Sequence, residues 1–346
     1  MTTDYRDKEK YLSLQAAKNE LQKRQNDIRG EVEKRVGLYD AQHKWSDIHS
    51  AKEDERKNLI KNSSNDIKQQ INKISSRNDK VVKSFDSLKE DPYIVHKNKE
   101  YSLKKEYDDL FEKYSKMEWG TDEYKATYQK AKEKQAEYQK AYWQSKKMLA
   151  DFAPKISKIL QVENGLKFEI KAENKAMEEN AKRLKEVLDG IIPNNVLDNK
   201  PINIHQTGKV RAFQAGQSIN LHNEERIGTI IHETAHQLEE NNPQMLINSL
   251  AFAKSRTEGE KQKALKKFNS SYTRDEYCKP DKFFDPYCGK LYTLFGGRDR
   301  RFVEGIASEI MSMGLQRIFE DPINFAKEDR EYFDFVLSNL RGELWD

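Results

Sequence analysis

Glycine and proline, the residues that interrupt helices, are distributed unevenly along this 346-residue chain. Residues 1–189 contain only four of the 15 glycines and two of the eight prolines: Gly30, Gly37, Gly120, Gly165, Pro92 and Pro154. The others follow from Gly190 onward. This distribution predicts long, rarely interrupted helices in the first half and a mixture of shorter elements in the second.

Apolar residues in the first half recur at the three-and-four spacing of helices with one narrow buried stripe. One stripe consists of Ile67, Ile71, Ile74, Val81, Val82, Phe85 and Leu88, and another of Tyr124, Tyr128, Ala131, Tyr138, Ala141 and Tyr142. Breaks are expected near 91–93, 119–122 and 151–154. We therefore expect antiparallel helical hairpins, in places a coiled coil. No strict heptad is sustained, which argues against a simple parallel dimer.

The charge composition indicates the solvated surfaces of long helices. Charged residues make up 35% of the chain and the mean hydropathy is −1.00, yet 62 basic and 58 acidic side chains leave a net charge of only +4. A nucleic-acid-binding protein would carry a larger, clustered basic excess, so no nucleic-acid partner is expected. The sequence has no secretory signal and no apolar run near the ~18 residues of a membrane span. We expect a soluble cytoplasmic protein without a membrane partner, although signal-less export or virion association stays open.

The composition changes at residues 188–201, LDGIIPNNVLDNKP. We expect 190–200 to link a helical region, 1–189, to a second domain, 201–346. After this linker, the segments PINIHQ, VRAFQA and SINLHN mix β-branched or aromatic residues with turn residues, which predicts a small sheet. The expected fold class is mainly α, with a long helical-hairpin or coiled-coil N-terminal region followed by a small α+β domain.

The segment IIHETAHQLEE, residues 230–240, places two histidines four residues apart on a predicted helix. We expect Asn223 to cap this helix, with two glutamates in its first turn. Its apolar stripe consists of Ile227, Ile230, Ile231, Ala235 and Leu238. His232 and His236 share one edge of that stripe, so both rings can reach one Zn²⁺ ion.

Glu233 completes an HExxH pattern, whose logic is chemical. Two neutral imidazoles leave zinc a positive charge that acidifies water and polarises a carbonyl. Glu233 can take the proton of the water and pass it to the leaving amine. Two surface histidines would give the same spacing, but the capped, amphipathic helix directly after a predicted strand favours the metal site.

The apolar stripe of the segment RRFVEGIASEIMSMGLQRIF, residues 300–319, predicts another helix. It carries two glutamates, Glu304 and Glu309. They lie on opposite sides of the stripe, so only one of them can face the metal. Helical geometry does not choose between them.

A strand followed by an HExxH helix resembles the zincin metallopeptidases. Glu239 and Asn242 stand where the metzincin extension needs glycine and histidine. The closer resemblance is therefore to the gluzincins, in which a glutamate on a later helix completes a His₂Glu site. Met313, however, stands where the thermolysin-like gluzincins carry an aspartate, four residues after the ligand glutamate.

A second resemblance rests on residues 308–342, together with HETAHQLE and DPYCGKLY (285–292). These segments are similar to a metallopeptidase domain of tailed-phage minor head proteins and related bacterial proteins. The resemblance covers about 200–346. It implies that Glu309 is the zinc ligand and that Glu304 orients a histidine ring. No head-morphogenesis domain is recognisable in 1–189, so a virion role does not follow.

The first functional hypothesis is a zinc endopeptidase that acts on a protein or peptide, with the N-terminal helices serving partner recognition, tethering or autoinhibition. A donor to the developing oxyanion is needed besides zinc. The candidates are Tyr287, Lys290, Tyr292 and Arg298, and Tyr292 is our choice. The segment VRAFQA is a candidate edge strand for pairing with a bound peptide.

Two alternatives belong to other classes. One is a non-catalytic coiled-coil scaffold with a structural zinc site, which would have no use for a water-facing Glu233. The other is a nucleic-acid-binding helical region fused to an inactive peptidase, against which the near-neutral charge argues. Whether Cys278 and Cys288 pair is left open by the sequence.

Overall fold

The computed structural model describes residues 41–197, 200–208, 211–223, 225–269, 271–292 and 307–344. The chain divides into two compact units, 1–57 and 58–346. Of the first unit, only the helical backbone of 41–57 is described together with a few of its side chains. The other described residues belong to the second unit.

The structure is mainly helical, with 65% helix and 9% strand, which confirms the expected mainly α class. The helices are α1 (Ala41–Ser84), α2 (Pro92–Ser115), α3 (Asp122–Leu160), α4 (Lys175–Leu188), α5 (Ile227–Asn241), α6 (Pro243–Arg256), α7 (Ile310–Glu320), α8 (Pro322–Glu328) and α9 (Arg330–Leu340). The strands are β1 (Ile170–Ala172), β2 (Ile202–Gln206), β3 (Phe213–Ala215), β4 (Ser218–Leu221), β5 (Lys263–Ala264), β6 (Tyr277–Cys278) and β7 (Lys290–Leu291). Among them, no helix is long and apolar enough to span a membrane.

Helices α2 and α3 form an antiparallel hairpin, as the sequence predicts. The imidazole of His96 contacts the Ala141 carbonyl at 3.0 Å, and Lys134 pairs with Glu106 nearer the turn. Turns at 85–91 and 116–121 confirm the expected breaks near 91–93 and 119–122.

The third expected break, at 151–154, was wrong, because α3 continues through Pro154 to Leu160. Proline lacks the N–H that would bond to the carbonyl four residues earlier, so the helix loses one hydrogen bond. Phe152, Ala153 and Ile156 around it are almost fully buried. Packing of this stretch outweighs the lost bond.

The apolar stripe of α1 packs against the C-terminal helix α9. Phe85, which follows α1, meets the Phe333 ring edge-on with centroids 6.1 Å apart. Buried Asp334 accepts hydrogen bonds from the Ser75 hydroxyl (2.5 Å) and the Asn78 amide (2.9 Å). The first and last described helices of this unit are thus joined by one polar network inside an apolar contact.

Replacing Asp334 with alanine is expected to lower the free energy of unfolding by about 3 kcal/mol, because the half-buried Ser75 and the buried Asn78 lose their acceptor. Arg330 also contacts Asp334, and it contacts the more exposed Asp79 as well. Asp79→Ala is therefore the matched control, with an expected loss below about 1 kcal/mol. Urea unfolding measures both, and equal losses would contradict the assignment.

The main sheet has the order β1-β2-β4-β3. Strands β1, β2 and β4 are parallel, and β3 pairs antiparallel with β4 at the edge. Strands β2, β3 and β4 confirm the three segments predicted as a sheet. A smaller antiparallel sheet has the order β5-β6-β7.

Strand β1 was not expected, since it lies inside the region predicted to be helical. In addition, Ile191 and Ile192 of the predicted linker are fully buried, and the Gly190 amide donates to the Leu166 carbonyl. The sheet and its core therefore draw on residues from both sides of the predicted linker. The boundaries at 1–189, 190–200 and 201–346 remain a prediction.

The two cysteines are both buried and both free. Cys278 lies in the small sheet, and Cys288 lies in a 3₁₀ turn, Pro286–Gly289, that precedes β7. Burial raises the pKa of the Cys278 thiol to about 11. Both thiols belong to the core.

Candidate metal centre

Helix α5 carries the two histidines at the rim of its buried face. Its apolar stripe is almost fully buried, as predicted, at Ile227, Ile230, Ile231, Ala235 and Leu238. The side chains of His232 and His236 stay 15% and 16% exposed, because they project from the edge of that stripe toward a cleft. The helix therefore holds both rings on one rigid surface.

The start of α5 differs from the prediction. The helix begins at Ile227, with Arg226 and not Asn223 at the N-cap position. The Asn180 amide donates to the His222 carbonyl at 2.9 Å, which holds this connection outside the helix. Glu224 lies outside the described residues.

Glu309 lies at the N-cap position of α7, and its side chain is 1% exposed. The helix predicted for 300–319 begins only at Ile310, so its expected start was wrong for 307–309. The Ser308 hydroxyl accepts from the Ile310 amide, and the Tyr332 hydroxyl donates to the Ile310 carbonyl. These bonds hold the backbone beside Glu309 in a defined position.

Packing of α7 against α5 brings Glu309 to both histidines. Its Oε2 atom lies 3.3 Å from Nε2 of His232 and 3.2 Å from Nε2 of His236. Two ligand atoms on a tetrahedral zinc ion, each about 2.0–2.1 Å from it, lie about 3.3 Å apart. The nitrogen–oxygen–nitrogen donor set and this spacing fit a zinc ion.

The charges of the three groups depend on one another. Burial by itself would lower the pKa of His236, but the carboxylates of Glu239 and Glu309 raise it to about 10. Burial would raise the pKa of Glu309, but hydrogen bonds and charge from His232 and His236 hold it well below its ordinary value. The buried Glu309 carboxylate is thus compensated by a proton on the His236 imidazole, which a cation would displace.

Two further side chains donate hydrogen bonds to the oxygens of the Glu309 carboxylate. Its Oε1 accepts a hydrogen bond from the Tyr292 hydroxyl, and its Oε2 accepts one from Ser312 at 2.7 Å. Lys290 Nζ lies 3.9 Å from Oε1. Burial, followed by the charge of Glu309, raises the pKa of Tyr292, so its hydroxyl stays a donor.

Tyr292 therefore orients a candidate ligand in this structure. Its predicted role as the donor to an oxyanion stays a prediction. Tyr287, another candidate for that role, accepts a hydrogen bond from Lys290 at 2.9 Å, and both line the cleft. Arg298 and the competing ligand candidate Glu304 lie outside the described residues.

Glu233 lines the same cleft as the two histidines and Glu309. The lining of this cleft also includes residues 211–214, which contain the start of the edge strand β3. One edge of β3 pairs with β4, and no described strand covers the other. The cleft is therefore lined by a general-base candidate, a cluster of candidate metal ligands and residues of an edge strand.

Sequence reasoning missed two residues behind the histidines. Gln316 Oε1 lies 3.1 Å from Nδ1 of His232, and Glu239 Oε2 lies 3.8 Å from Nδ1 of His236. Gln316 is seven residues, about two helical turns, after Glu309, so a helical wheel could have found it. Glu239 lies three residues after His236, on the same face of α5.

No family model matches this chain, and neither a curated protein nor a solved structure matches it.

Proposed function

We propose that this chain is a zinc-dependent endopeptidase in which His232, His236 and Glu309 bind the ion and Glu233 is the general base. The observation that carries the proposal is the convergence of two imidazole nitrogens on one carboxylate oxygen, at 3.3 and 3.2 Å, in a cleft that Glu233 also lines. The parallel strands, the antiparallel edge strand, the HExxH helix and the later glutamate support a zincin-like domain.

When bound, a zinc ion supplies positive charge that acidifies water and polarises a peptide carbonyl. The Glu233 carboxylate accepts the proton of the attacking water and returns it to the leaving amine. Glu309, held by Tyr292 and Ser312, keeps its Oε2 directed at the two imidazoles. A substrate peptide in extended form binds beside the edge strand β3 through main-chain hydrogen bonds.

The helical hairpin is proposed to recognise a protein partner through its tip. Trp119, in the turn between α2 and α3, is 83% exposed. Beside the turn, the Tyr114 ring meets Phe111, Tyr124 and Tyr128 with centroids 5.2–5.9 Å apart. Exposed aromatic side chains are enriched where proteins bind proteins, which supports recognition or tethering.

The alternative is a scaffold protein with a structural zinc site. A structural site closes all four positions with protein ligands. Within the described ranges, the ligand cluster consists of three residues, His232, His236 and Glu309. Glu233, which lines the same cleft, favours a catalytic site, which keeps one position for water.

The test is metal analysis of the purified full-length protein, combined with cleavage of a denatured test protein. We expect about one zinc ion per chain and cleavage that stops when a chelator removes the zinc and resumes when zinc is restored. Stoichiometric zinc without cleavage of any denatured protein would favour the scaffold. Absence of zinc binding at micromolar zinc would contradict the metal centre itself.

A further inference from the structure

A chain of hydrogen bonds connects His232 to the helical hairpin. Gln316 Oε1 contacts Nδ1 of His232 at 3.1 Å, and Gln316 Nε2 donates to Glu320 Oε1 at 2.8 Å. Lys146, on α3 of the hairpin, donates to the same Glu320 oxygen at 2.6 Å. The catalytic proposal uses none of these three residues behind His232.

Lys146 sets the order of donors and acceptors along these hydrogen bonds. An ammonium group only donates and an ionised carboxylate only accepts, so the Gln316 amide must turn its NH₂ toward Glu320. Its carbonyl oxygen then faces His232, whose Nδ1 must carry a proton in order to donate. A neutral His232 with its proton on Nδ1 has the lone pair on Nε2, on the side of the cleft, where it can bind a zinc ion.

Burial of Glu320 makes this order strict. The residue is 9% exposed, and a Cβ atom on Gly228 of α5 would lie 2.6 Å from Glu320 Oε1. Burial alone would raise the pKa of Glu320, but the charges of Lys146 and Lys97 and two hydrogen bonds hold it below its ordinary value. The carboxylate is thus ionised and packs closely against the backbone of α5 at Gly228.

The hairpin also holds the end of α7 directly. The Tyr93 hydroxyl donates to the Glu320 carbonyl at 2.7 Å, and the Tyr101 hydroxyl donates to Asp321 at 2.6 Å. Arg317 bonds to Tyr101 and pairs with Asp321. These contacts keep Glu320 within reach of Lys146.

We propose that Gln316, Glu320 and Lys146 are positioning residues that set the tautomer and orientation of His232. The helical hairpin then has two roles. It recognises a partner, and through Lys146 it helps to position His232. The inference rests on the proposed metal centre.

The test measures zinc affinity of full-length variants by competition with a fluorescent chelator. Gln316→Met keeps the size of the side chain and removes both hydrogen bonds, and Lys146→Met removes the charge. Each is expected to weaken zinc binding about 10–100-fold, the usual effect of removing a partner behind a ligand. Glu320→Gln, which permits either amide orientation, is expected to fall between them and the control. The control is Lys147→Met, on the exposed face of α3, with the affinity of the parent.

A charge exchange separates positioning from simple stabilisation. The double variant Lys146→Glu/Glu320→Lys restores an ion pair but presents a donor to Gln316, so the amide turns its NH₂ toward His232. We expect its melting temperature to recover relative to Lys146→Met while its zinc affinity stays weakened.

Two results would overturn the inference. One is parental zinc affinity in a folded Gln316→Met protein, and the other is full recovery of affinity in the charge exchange. A parent that binds no zinc would instead overturn the proposed metal centre, so the two failures are distinguishable.

Discussion

Replacing Glu233 with glutamine is expected to abolish peptide cleavage while leaving zinc bound. Glutamine has nearly the same size but cannot take a proton from water, and Glu233 is not part of the ligand cluster of the described residues. A positioned general base contributes about 10²–10⁴-fold to the rate, so kcat should fall by at least that factor. The measurement is kcat with a peptide substrate, alongside the zinc content of the same sample.

The matched control is Glu240→Gln, an exposed glutamate on the same helix, which should cleave at the parental rate. Parental activity in Glu233→Gln would remove the general base from the proposal. Loss of zinc in Glu233→Gln would instead indicate that this carboxylate is a ligand.

Replacing His236 with alanine is expected to remove zinc and all cleavage together. Removing a residue that only hydrogen-bonds to a metal ligand typically weakens metal binding about 10–100-fold. Removing a ligand itself should weaken zinc binding by more than that. Glu309→Ala should behave in the same way, since its Oε2 is the atom on which both imidazoles converge. Zinc content after dialysis and chelator competition measure both effects.

The control for this pair is His205→Ala, an exposed histidine on β2. It should retain the zinc content and activity of the parent. If His236→Ala and Glu309→Ala both bound zinc as tightly as the parent, the ligand assignment would be wrong.

The helical half shows where periodicity predicts well and where it stops. Spacing of apolar residues predicted the buried stripe of α1, but not that this stripe packs against α9. Pro154 predicted a break, yet the helix continues because its neighbours are buried in the core. Both outcomes depend on burial against residues distant in sequence, which local patterns do not contain.

The sequence also predicted only part of the candidate metal centre. Helical geometry placed His232 and His236 on one face, but it left Glu304 and Glu309 as equal candidates for the third ligand. Residue type made Tyr292 the predicted donor to the oxyanion, and in the structure its hydroxyl donates a hydrogen bond to Glu309. The choice among such candidates depends on how α7 packs against α5.

The amino-acid sequence by itself determined the local parts of this protein: the long helices, the three strands before the histidine helix, and the pairing of two imidazoles one turn apart. These follow from backbone geometry and side-chain spacing within about 15 residues. Only the tertiary structure decided that Glu309 meets both imidazoles and that Lys146 is linked to His232 through Gln316 and Glu320. Those contacts join residues as far as 84 and 174 positions apart, because they form only when separate helices bury their apolar faces together.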